Sequence, residues 1–170
     1  MKRMILLMVC PALMLLAGCG YRIGSLMHPQ IESIAIAPVT NETVAYNLGP
    51  QVRGLLCEMF QQDGSLQLRR ESNADCILYA RVIAVSFRKS SWSSSNDENK
   101  FVPVEWKVEI KIEYSVVIPG ELKPLVSKRE VGGSATFMTG ADMETGRMSG
   151  VRQAALMAAK EIVSQVTEAW

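Results

Sequence analysis

One stretch of strict alternation constrains the fold more than any other part of the chain. Over residues 104–118, apolar side chains take every second position, and charged or hydroxyl side chains take most positions between them. The apolar set is Trp106, Val108, Ile110, Ile112, Tyr114 and Val116. Successive side chains of a strand point to opposite faces, so this segment predicts a strand with one face on a core and one in water. The wet face alternates in charge sign, which is typical of a solvated ladder.

Three further segments predict strands. Residues 31–39 hold an almost continuous apolar run, which suits a short strand buried on both faces. Residues 76–88 are apolar on both alternations and indicate an interior strand. Residues 125–137 also alternate, although Gly132 and Gly133 weaken or bulge the middle of that strand.

Two segments predict helices. In Leu48–Asp63, apolar residues recur at i, i+3, i+4, i+7 and i+8, which places them on one helical face. Asn47 suits the start of this helix as a cap, and Gly64 suits its left-handed end. After a loop at residues 139–146, the last helix is predicted over residues 149–170, with a narrow stripe rich in alanine. Such small side chains permit close approach of a helix to a sheet.

The order of these elements predicts the architecture. A strand, a helix and a second strand can form a right-handed crossover, and the later strands form an antiparallel meander. Because one face of residues 104–118 is wet, both helices should cover the opposite face. We therefore predict an α+β fold, a two-layer sandwich of a four-stranded mixed sheet with two helices packed on one face. Residues 66–68 offer one further short strand.

The N-terminus carries an export signal. Lys2 and Arg3 precede an apolar run at residues 4–16, which is too short to span a membrane and suits a secretory signal peptide. The run ends in Leu-Ala-Gly-Cys at residues 16–19, which matches the bacterial lipoprotein box, where Cys19 receives a diacylglyceryl group before cleavage. The alternative is a plain secretory signal with an incidental cysteine.

This signal divides the chain into three parts. Residues 1–18 are a cleaved signal, residues 19–30 a lipidated N-terminus and linker, and residues 31–170 a single α+β domain. The whole chain has 18 basic and 17 acidic residues. Removal of Lys2 and Arg3 leaves 16 against 17, a net charge of −1, which argues against nucleic acid as a partner.

Cys57 and Cys76 are the cysteines that remain after the signal and Cys19 are set aside. In an oxidising periplasm they either pair as a disulfide or remain as two buried free thiols. Sequence alone leaves both arrangements open, because a disulfide requires a defined Cα separation.

No catalytic or metal-binding constellation is present in the sequence. The G-x-S-x-G, P-loop, H-E-x-x-H and C-x-x-C patterns do not occur. The one histidine, His28, lies in the linker, where a single side chain is more typical of solvent exposure than of a ligand. We therefore expect no enzyme activity, no catalytic or metal-ligating residues and no cofactor.

Two polar segments attract attention. Asn41-Glu42-Thr43 matches the glycosylation pattern, but downstream of a bacterial lipoprotein box it indicates turn chemistry, in which Asn and Thr bond nearby backbone groups. Residues 90–100 are the most polar stretch and predict a mobile hairpin tip. Trp92 and Phe101 in or beside that tip either fold back on the sheet or contact a partner or lipid.

The predicted topology brings the hairpin tip close to the loop before the last helix. The second strand ends where the third begins, and the fourth runs back toward the same end. Four basic residues should gather there, beside Asp97, Glu98, Asp142 and Glu144: Arg88, Lys89, Lys100 and Arg147. They are either ordinary solvated charges or an end that attracts anions.

Several short segments resemble one family in their order and spacing over nearly the whole mature chain. They are Gly-Cys-Gly-Tyr at 18–21, Ile-Ala-Ile-Ala-Pro-Val-Thr-Asn-Glu-Thr at 34–43, the helix and glycine at 48–64, Asn-Ala-Asp at 73–75, Val-Ile-Pro-Gly at 117–120 and the alanine-rich last helix. On these residues the chain resembles the lipopolysaccharide-assembly lipoprotein (LptE) family.

The resemblance implies a non-enzymatic outer-membrane lipoprotein. Its members plug the LptD β-barrel, support its assembly and bind lipopolysaccharide on its way to the outer leaflet. The implied location is the outer membrane, lipid-anchored, facing the periplasm and inside the barrel lumen. The implied lipopolysaccharide contacts lie near Arg88, Lys89, Lys100 and Arg147, since Arg and Lys attract lipid A phosphates. The alternative is another envelope lipoprotein adaptor of the same fold, associated with peptidoglycan or secretion.

Overall fold

A computed structural model describes residues 30–94, 101–138 and 142–168, with the backbone alone described at 91–94 and 101–104. Within these ranges the chain forms six strands and two α-helices. They are β1 (Ser33–Ile36), β2 (Thr40–Asn41), α1 (Leu48–Asp63), β3 (Gln67–Leu68), β4 (Cys76–Ser94), β5 (Phe101–Val117), β6 (Val126–Met138) and α2 (Met143–Thr167). The predicted signal, Cys19 and Lys100 lie outside the described residues, as do the side chains of Trp92 and Phe101.

The strands form one mixed sheet in the order β3–β1–β4–β5–β6, and β2 also pairs with β4. β1 is parallel to β3 and β4, whereas β5 is antiparallel to β4 and β6. The predicted α+β class is therefore confirmed. The predicted count of four strands falls short by two. β3 lies within the further short strand predicted at residues 66–68, whereas β2 has only two residues and is too short to show a period of two.

Both helices pack on the same face of the sheet, as predicted. α1 lies over β1 to β4, α2 lies over β5 and β6, and the two helices contact each other. Phe60 of α1 and Tyr114 of β5 are the largest fully buried side chains of this core. On the opposite face, here called the open face, Ala35, Ala37 and Ile77 form a small second cluster, so β1 is buried on both sides. Neither described helix has the length and apolar content required to cross a membrane.

A bulge in β4 changes which residues face the helices. Before it, Leu78 and Val82 are buried beneath the helical layer. The pairing with β5 shifts between Val82 and Ala84, and after the shift Val85 and Phe87 pack against the same core. Strict alternation along residues 76–88 would place these two residues on the opposite face from Leu78 and Val82, and that expectation is wrong. The extra residue of a bulge reverses the side-chain alternation that follows it.

The long hairpin is more regular than its sequence indicates. β4 continues through Ser94 and β5 begins at Phe101, so the described part of the predicted tip, residues 90–94, is strand rather than mobile loop. The prediction rested on side-chain polarity, whereas a strand is held by backbone hydrogen bonds to its neighbour, which serine supplies as well as valine does. Residues 95–100 lie outside the described residues.

α1 has the predicted bounds, but its two ends differ in how well they were predicted. Gly64 adopts a left-handed conformation with φ 72°, and its N–H donates to the carbonyl of Phe60 at 3.0 Å, as expected. Asn47 also adopts a left-handed conformation, with φ 56° and ψ 19°, and its side chain makes no capping hydrogen bond. The predicted cap at Asn47 is therefore wrong, because a capping side chain requires an extended backbone.

α2 begins six residues before its predicted start and replaces the second half of the predicted loop at 139–146. Asp142 caps it and accepts hydrogen bonds from the N–H groups of Glu144 and Thr145. Gly146 and Gly150 obscured this start, because glycine disfavours a helix interior. Both glycines are needed for packing, since an added Cβ would lie 3.3 Å from Phe137 Cδ2 at residue 146 and 2.7 Å from Phe137 Cδ1 at residue 150.

The two remaining cysteines do not form the candidate disulfide. Cys57 and Cys76 are both free thiols, with Cys57 half-buried on α1 and Cys76 buried at the start of β4. Cys76 Sγ donates instead to the carbonyl of Ser33 at 3.5 Å. Burial raises the pKa of Cys76 to about 12, so its thiol is neutral and unreactive near pH 7.

Candidate functional site: a groove at one end of the helical layer

The predicted basic end divides between the two faces of the sheet. Arg88 pairs with Lys107 of β5, whereas Lys89 pairs with Trp106. Directly opposed residues of neighbouring strands share a face, so Arg88 lies on the open face and Lys89 on the helical face. Lys100 lies outside the described residues. The four basic residues therefore do not form the single cluster predicted from their positions in sequence.

Arg88 belongs to a ladder of charges on the open face. It forms an ion pair with Glu109, and Lys107 Nζ lies 3.1 Å from the same carboxylate. Hydrogen bonds from Arg88 and then Lys107 hold the pKa of Glu109 below its usual range. A second part of the ladder joins Arg81 to both Glu42 and Glu113, each at 2.8 Å. Charges that neutralise each other in this way suit the predicted solvated face.

Lys89 and Trp106 occupy the helical face at the same end. The Lys89 ammonium lies 5.7 Å from the centroid of the Trp106 ring, within range of a cation–π interaction. Phe137 pairs with Trp106 on the neighbouring strand, so aromatic side chains line this end of the sheet. The Trp106 Nε1 atom is buried and has no hydrogen-bond acceptor within the described part of the chain.

Arg147 projects from the first turns of α2 above Phe87. Its guanidinium carbon lies 5.8 Å from the centroid of the Phe87 ring. Two of its nitrogens donate to the carboxylate of Glu144, at 2.9 and 2.7 Å, and these bonds hold the pKa of Glu144 below its usual range. The pair is bidentate and half-exposed, so the cation is held in one orientation and remains accessible to a ligand.

A short loop after β2 presents two apolar side chains to solvent. Asn41 Nδ2 donates to the carbonyl of Ala45 at 2.6 Å, and Asn41 Oδ1 accepts from the Thr43 N–H at 3.0 Å. These bonds are the turn chemistry predicted for Asn41-Glu42-Thr43. The loop they brace leaves Val44 and Tyr46 fully exposed. Large apolar side chains held in water by a braced loop are typical of a contact surface.

Arg147, Phe87 and part of the loop after β2 meet in one groove of about 560 Å³, here called the end groove. Phe87 of β4 forms part of its lining. Its other lining residues are Ala45, Tyr46 and Asn47 of the loop, Pro50 and Gln51 of α1, and Glu144, Arg147, Met148 and Val151 of α2. The groove therefore combines apolar walls with one ion-paired arginine.

This arrangement suits the binding of an amphiphilic ligand better than it suits catalysis. Apolar walls favour burial of hydrocarbon, and the guanidinium of Arg147 favours an anionic group beside it. Among the described residues, no three His, Cys, Asp or Glu side chains are close enough together to hold a metal ion.

The apolar residues of the end groove, Tyr46, Phe87 and Met148 among them, were not predicted from the sequence. Val44 and Tyr46 are the only large apolar residues in an otherwise polar turn, and that contrast is a signal that could have identified them. Strict alternation along β4 places Phe87 on the open face, because it takes no account of the bulge after Val82. Met148 lies one residue before the predicted start of the last helix, so it was not predicted to be helical.

Comparisons with known proteins bear on the fold. No protein-family model matches the sequence, and no curated protein matches it. Several solved structures match the fold. A minor lipoprotein from Acinetobacter baumannii has a TM-score of 0.52 and 11% identity, covering 81% of this chain and 93% of that one. The PelC dodecamer from Paraburkholderia phytofirmans has a TM-score of 0.51 and 12% identity, covering 81% and 90%.

The third match is a protein from Xanthomonas campestris, with a TM-score of 0.55 and 9% identity, covering 85% of this chain and 91% of that one. Each alignment includes most of both chains, so the similarity extends over the whole domain rather than one motif. At such low identities it concerns the fold alone. The chain thus has an α+β sandwich fold that it shares with bacterial proteins, a lipoprotein among them.

Proposed function

We propose that this protein is a non-enzymatic outer-membrane lipoprotein that plugs an LptD-type β-barrel and binds lipopolysaccharide during its insertion into the outer leaflet. The observation that carries this proposal is the end groove, where Arg147 lies beside apolar walls from three separate elements. The resemblance to the LptE family and the shared fold of a bacterial lipoprotein support the same assignment.

The anchor limits where such a protein acts. Lipid on Cys19 would tether the chain through a linker that ends at residue 30, and an extended chain spans at most about 3.3–3.6 Å per residue. The domain would then work within a few tens of ångströms of the bilayer. A partner in the same membrane satisfies that limit, and a β-barrel is such a partner.

The two faces of the sheet suit a place inside a barrel. The interior of an outer-membrane barrel is polar. The open face presents the paired charges of Arg81, Arg88, Glu109 and Glu113, which a polar wall can accommodate without isolating any of them. The helical face would then carry the ligand-binding end.

Lipopolysaccharide combines phosphates, sugars and acyl chains, and the end groove offers a matching pair of environments. Arg147 supplies a cation, and Tyr46, Phe87 and Met148 supply apolar and aromatic surface. Lys89 lies on the same face beside Trp106, outside the lining of the groove. Arg88 is adjacent in sequence to Lys89 but lies on the other face, paired to Glu109. It therefore provides a matched control for any test of the basic end.

Lipopolysaccharide binding to the full chain in neutral detergent tests the ligand. We expect Arg147→Ala to weaken binding about tenfold or more, since a lost charge-assisted contact carries roughly 1.5–3 kcal/mol. Arg88→Ala should leave the affinity unchanged. Equal losses in the two variants, or none in either, would remove the end groove from the proposal.

Recovery of the partner tests the plug. The tagged protein, purified from membranes in mild detergent, should retain a large β-barrel protein. Its absence under conditions that keep other outer-membrane complexes intact would contradict the plug, whatever the outcome with lipopolysaccharide.

A second candidate function is an envelope adaptor that assembles with copies of itself. The PelC structure with the same fold is a dodecamer, and β6 has no neighbour on its outer side among the described strands. An unpaired strand edge is a template for pairing with another chain. The mass of the purified protein in detergent distinguishes the two functions, since the adaptor predicts a large homo-oligomer without a barrel.

A further inference from the structure

A second cavity lies at the opposite edge of the sheet from β6. It has a volume of about 700 Å³ and forms where β3 stops after two residues and leaves the end of β1 uncovered. Three arginines line it, Arg53 from α1 and Arg69 and Arg70 from the segment after β3. We call it the arginine pocket. It shares no lining residue with the end groove.

Backbone contacts hold all three arginines in place. Arg53 Nε donates to the carbonyl of Ile36 at 3.0 Å, which fixes the guanidinium beside the uncovered strand. The Arg69 N–H donates to the carbonyl of Ile34 at 3.0 Å. The carbonyl of Arg70 accepts from the Asn73 N–H at 2.9 Å, within the short 3₁₀ turn that precedes β4. These bonds therefore position the guanidinium of Arg53 and the main chain of Arg69 and Arg70.

Its charges are not balanced locally. The lining contains three guanidinium groups and one carboxylate, that of Glu71. None of the three arginines forms an ion pair within the described ranges, whereas Arg81, Arg88 and Arg147 each do. The guanidinium of Arg69 donates a hydrogen bond to a neutral side chain, that of Gln67 at 2.8 Å.

The nearby carboxylate of Asp75 is already engaged. It accepts hydrogen bonds from the N–H groups of Glu32 and Ser33 and from the Ser33 hydroxyl, at 3.1, 2.9 and 2.7 Å. These contacts join the start of β1 to the start of β4. The hydrogen bond from the Ser33 hydroxyl and, to a smaller extent, the charge of Arg69 lower the pKa of Asp75. Asp75 therefore offsets part of the positive charge of the three arginines but not all of it.

We propose that the arginine pocket binds the phosphate group of a larger ligand. Guanidinium groups match phosphate oxygens with two parallel hydrogen bonds, and a doubly charged phosphate can relieve the mutual repulsion of several arginines. The volume of the pocket exceeds that of a phosphate alone, so the phosphate would belong to a headgroup or a phosphorylated sugar. This site goes beyond the proposed function, because it requires neither the end groove nor a barrel partner.

The test follows the full chain in neutral detergent micelles by NMR. Inorganic pyrophosphate is titrated in one arm, and phosphatidylglycerol replaces phosphatidylcholine in the micelles of the other. The signals observed are the Arg53 Nε–H and the Arg69 amide. We expect saturable shifts in at least one arm. Pyrophosphate alone would identify a soluble phosphate, and phosphatidylglycerol alone would identify a lipid headgroup.

Arg70→Gln is the informative variant, because its side chain makes no hydrogen bond within the described ranges and its loss should not affect folding. It should weaken binding about tenfold in the arm that shows it. Arg152→Gln, which removes an exposed arginine from α2 that is not ion-paired in the described part of the chain, should have no effect. Equal weakening by both variants, or no saturable shift in either arm, would overturn the proposal.

Discussion

The two helices attach to the same sheet in different ways. α1 buries large side chains, among them Val52, Leu56, Met59 and Phe60. α2 buries mostly small ones through the first half of its contact: Gly150, Ala154, Ala155, Ala158 and Ala159. Large side chains hold the helix backbone away from the sheet backbone, and they can fill the space between the two in several rotamers. Small ones bring the backbone of the helix down to the backbone of the sheet.

The closest of these approaches is at Gly133 of β6. A Cβ there would lie 2.0 Å from the carbonyl oxygen of Ala154 and 2.6 Å from the nitrogen of Ala158. No rotamer change can relieve a collision with backbone. α1 has one similar approach, in its first turn, where a Cβ at Gly49 would lie 2.4 Å from the carbonyl oxygen of Val39. We infer that the docking of α1 beyond this turn tolerates changes of side-chain shape, whereas the docking of α2 tolerates almost no added atom.

Phe60→Ala should have the largest effect. The side chain is fully buried, and its removal both loses transfer free energy and leaves a cavity, at a cost of about 3–5 kcal/mol in the free energy of unfolding. Denaturant unfolding measures it. Leu56→Met on the same face nearly conserves volume and should cost less than about 1.5 kcal/mol. If Leu56→Met were as costly as Phe60→Ala, the tolerance inferred for α1 would be wrong.

Gly133→Ala should have the next largest effect, about 3 kcal/mol, because α2 must move away from the sheet to admit one methyl group. The adjacent Gly132 provides the control, since the nearest atom to an added Cβ there is the carbonyl oxygen of Ile110 at 3.9 Å. Gly132→Ala should be neutral or stabilise the protein by about 0.5 kcal/mol through the unfolded state. Equal effects at the two positions would mean that α2 can move without penalty.

Gly150→Ala should cost about 1 kcal/mol. The added Cβ would meet the ring of Phe137 at 2.7 Å, which can shift, and alanine also favours the helix by about 1 kcal/mol. In a Phe137→Leu background the obstruction is smaller, and Gly150→Ala should become neutral or stabilising. A double-mutant cycle measures this coupling. Additive effects would show that the ring is not what requires glycine.

As the pH falls, the first turn of α2 should lose its capping hydrogen bonds and open, whereas the first turn of α1 has no acidic cap to lose. Hydrogen bonds from Thr145 and Glu144 lower the pKa of Asp142, so this cap stabilises the helix fully above the usual Asp value of 3.8 and is lost as the pH falls below it. α1 has no acidic residue in its first turn and no side-chain cap. The protection of the Glu144 and Thr145 amides against hydrogen exchange, relative to an unstructured peptide at the same pH, should therefore fall below pH 3.8. The protection of the Gln51 amide should not gain the same pH dependence.

Asp142→Asn separates the cap from other acid effects. Asparagine caps a helix without titrating, so the Glu144 and Thr145 amides should lose their added acid sensitivity in this variant. If acid still exposed them selectively, a group other than Asp142 would control the start of α2.

The comparison of the helices also explains why one was predicted better. Large apolar residues at helical spacing predict α1, and its observed bounds are the predicted ones. The same packing that makes α2 exacting made its start hard to predict, because Gly146 and Gly150 are helix breakers in isolation. They belong in this helix only because Phe137 lies beneath them.

The candidate site shows the same limit. The sequence placed Lys89 and Arg147 at one end of the sheet, and of these two residues only Arg147 lines the end groove. It grouped Arg88 with them, although successive residues of a strand point to opposite faces. The bulge after Val82, which moved Phe87 to the helical face, leaves no trace in the apolar pattern of β4, because that strand is apolar on both alternations.

By itself, the sequence determined the α+β class, the strand with one wet face, the length of α1 and the turn bonds of Asn41 and Thr43. Each follows from contacts between residues close in sequence or from a periodicity that one strand or helix carries alone. Tertiary structure decided the end groove, the arginine pocket, the faces of Arg88 and Phe87 and the start of α2. These depend on distances between residues far apart in the chain, which strand pairing and helix docking set only once the core has formed.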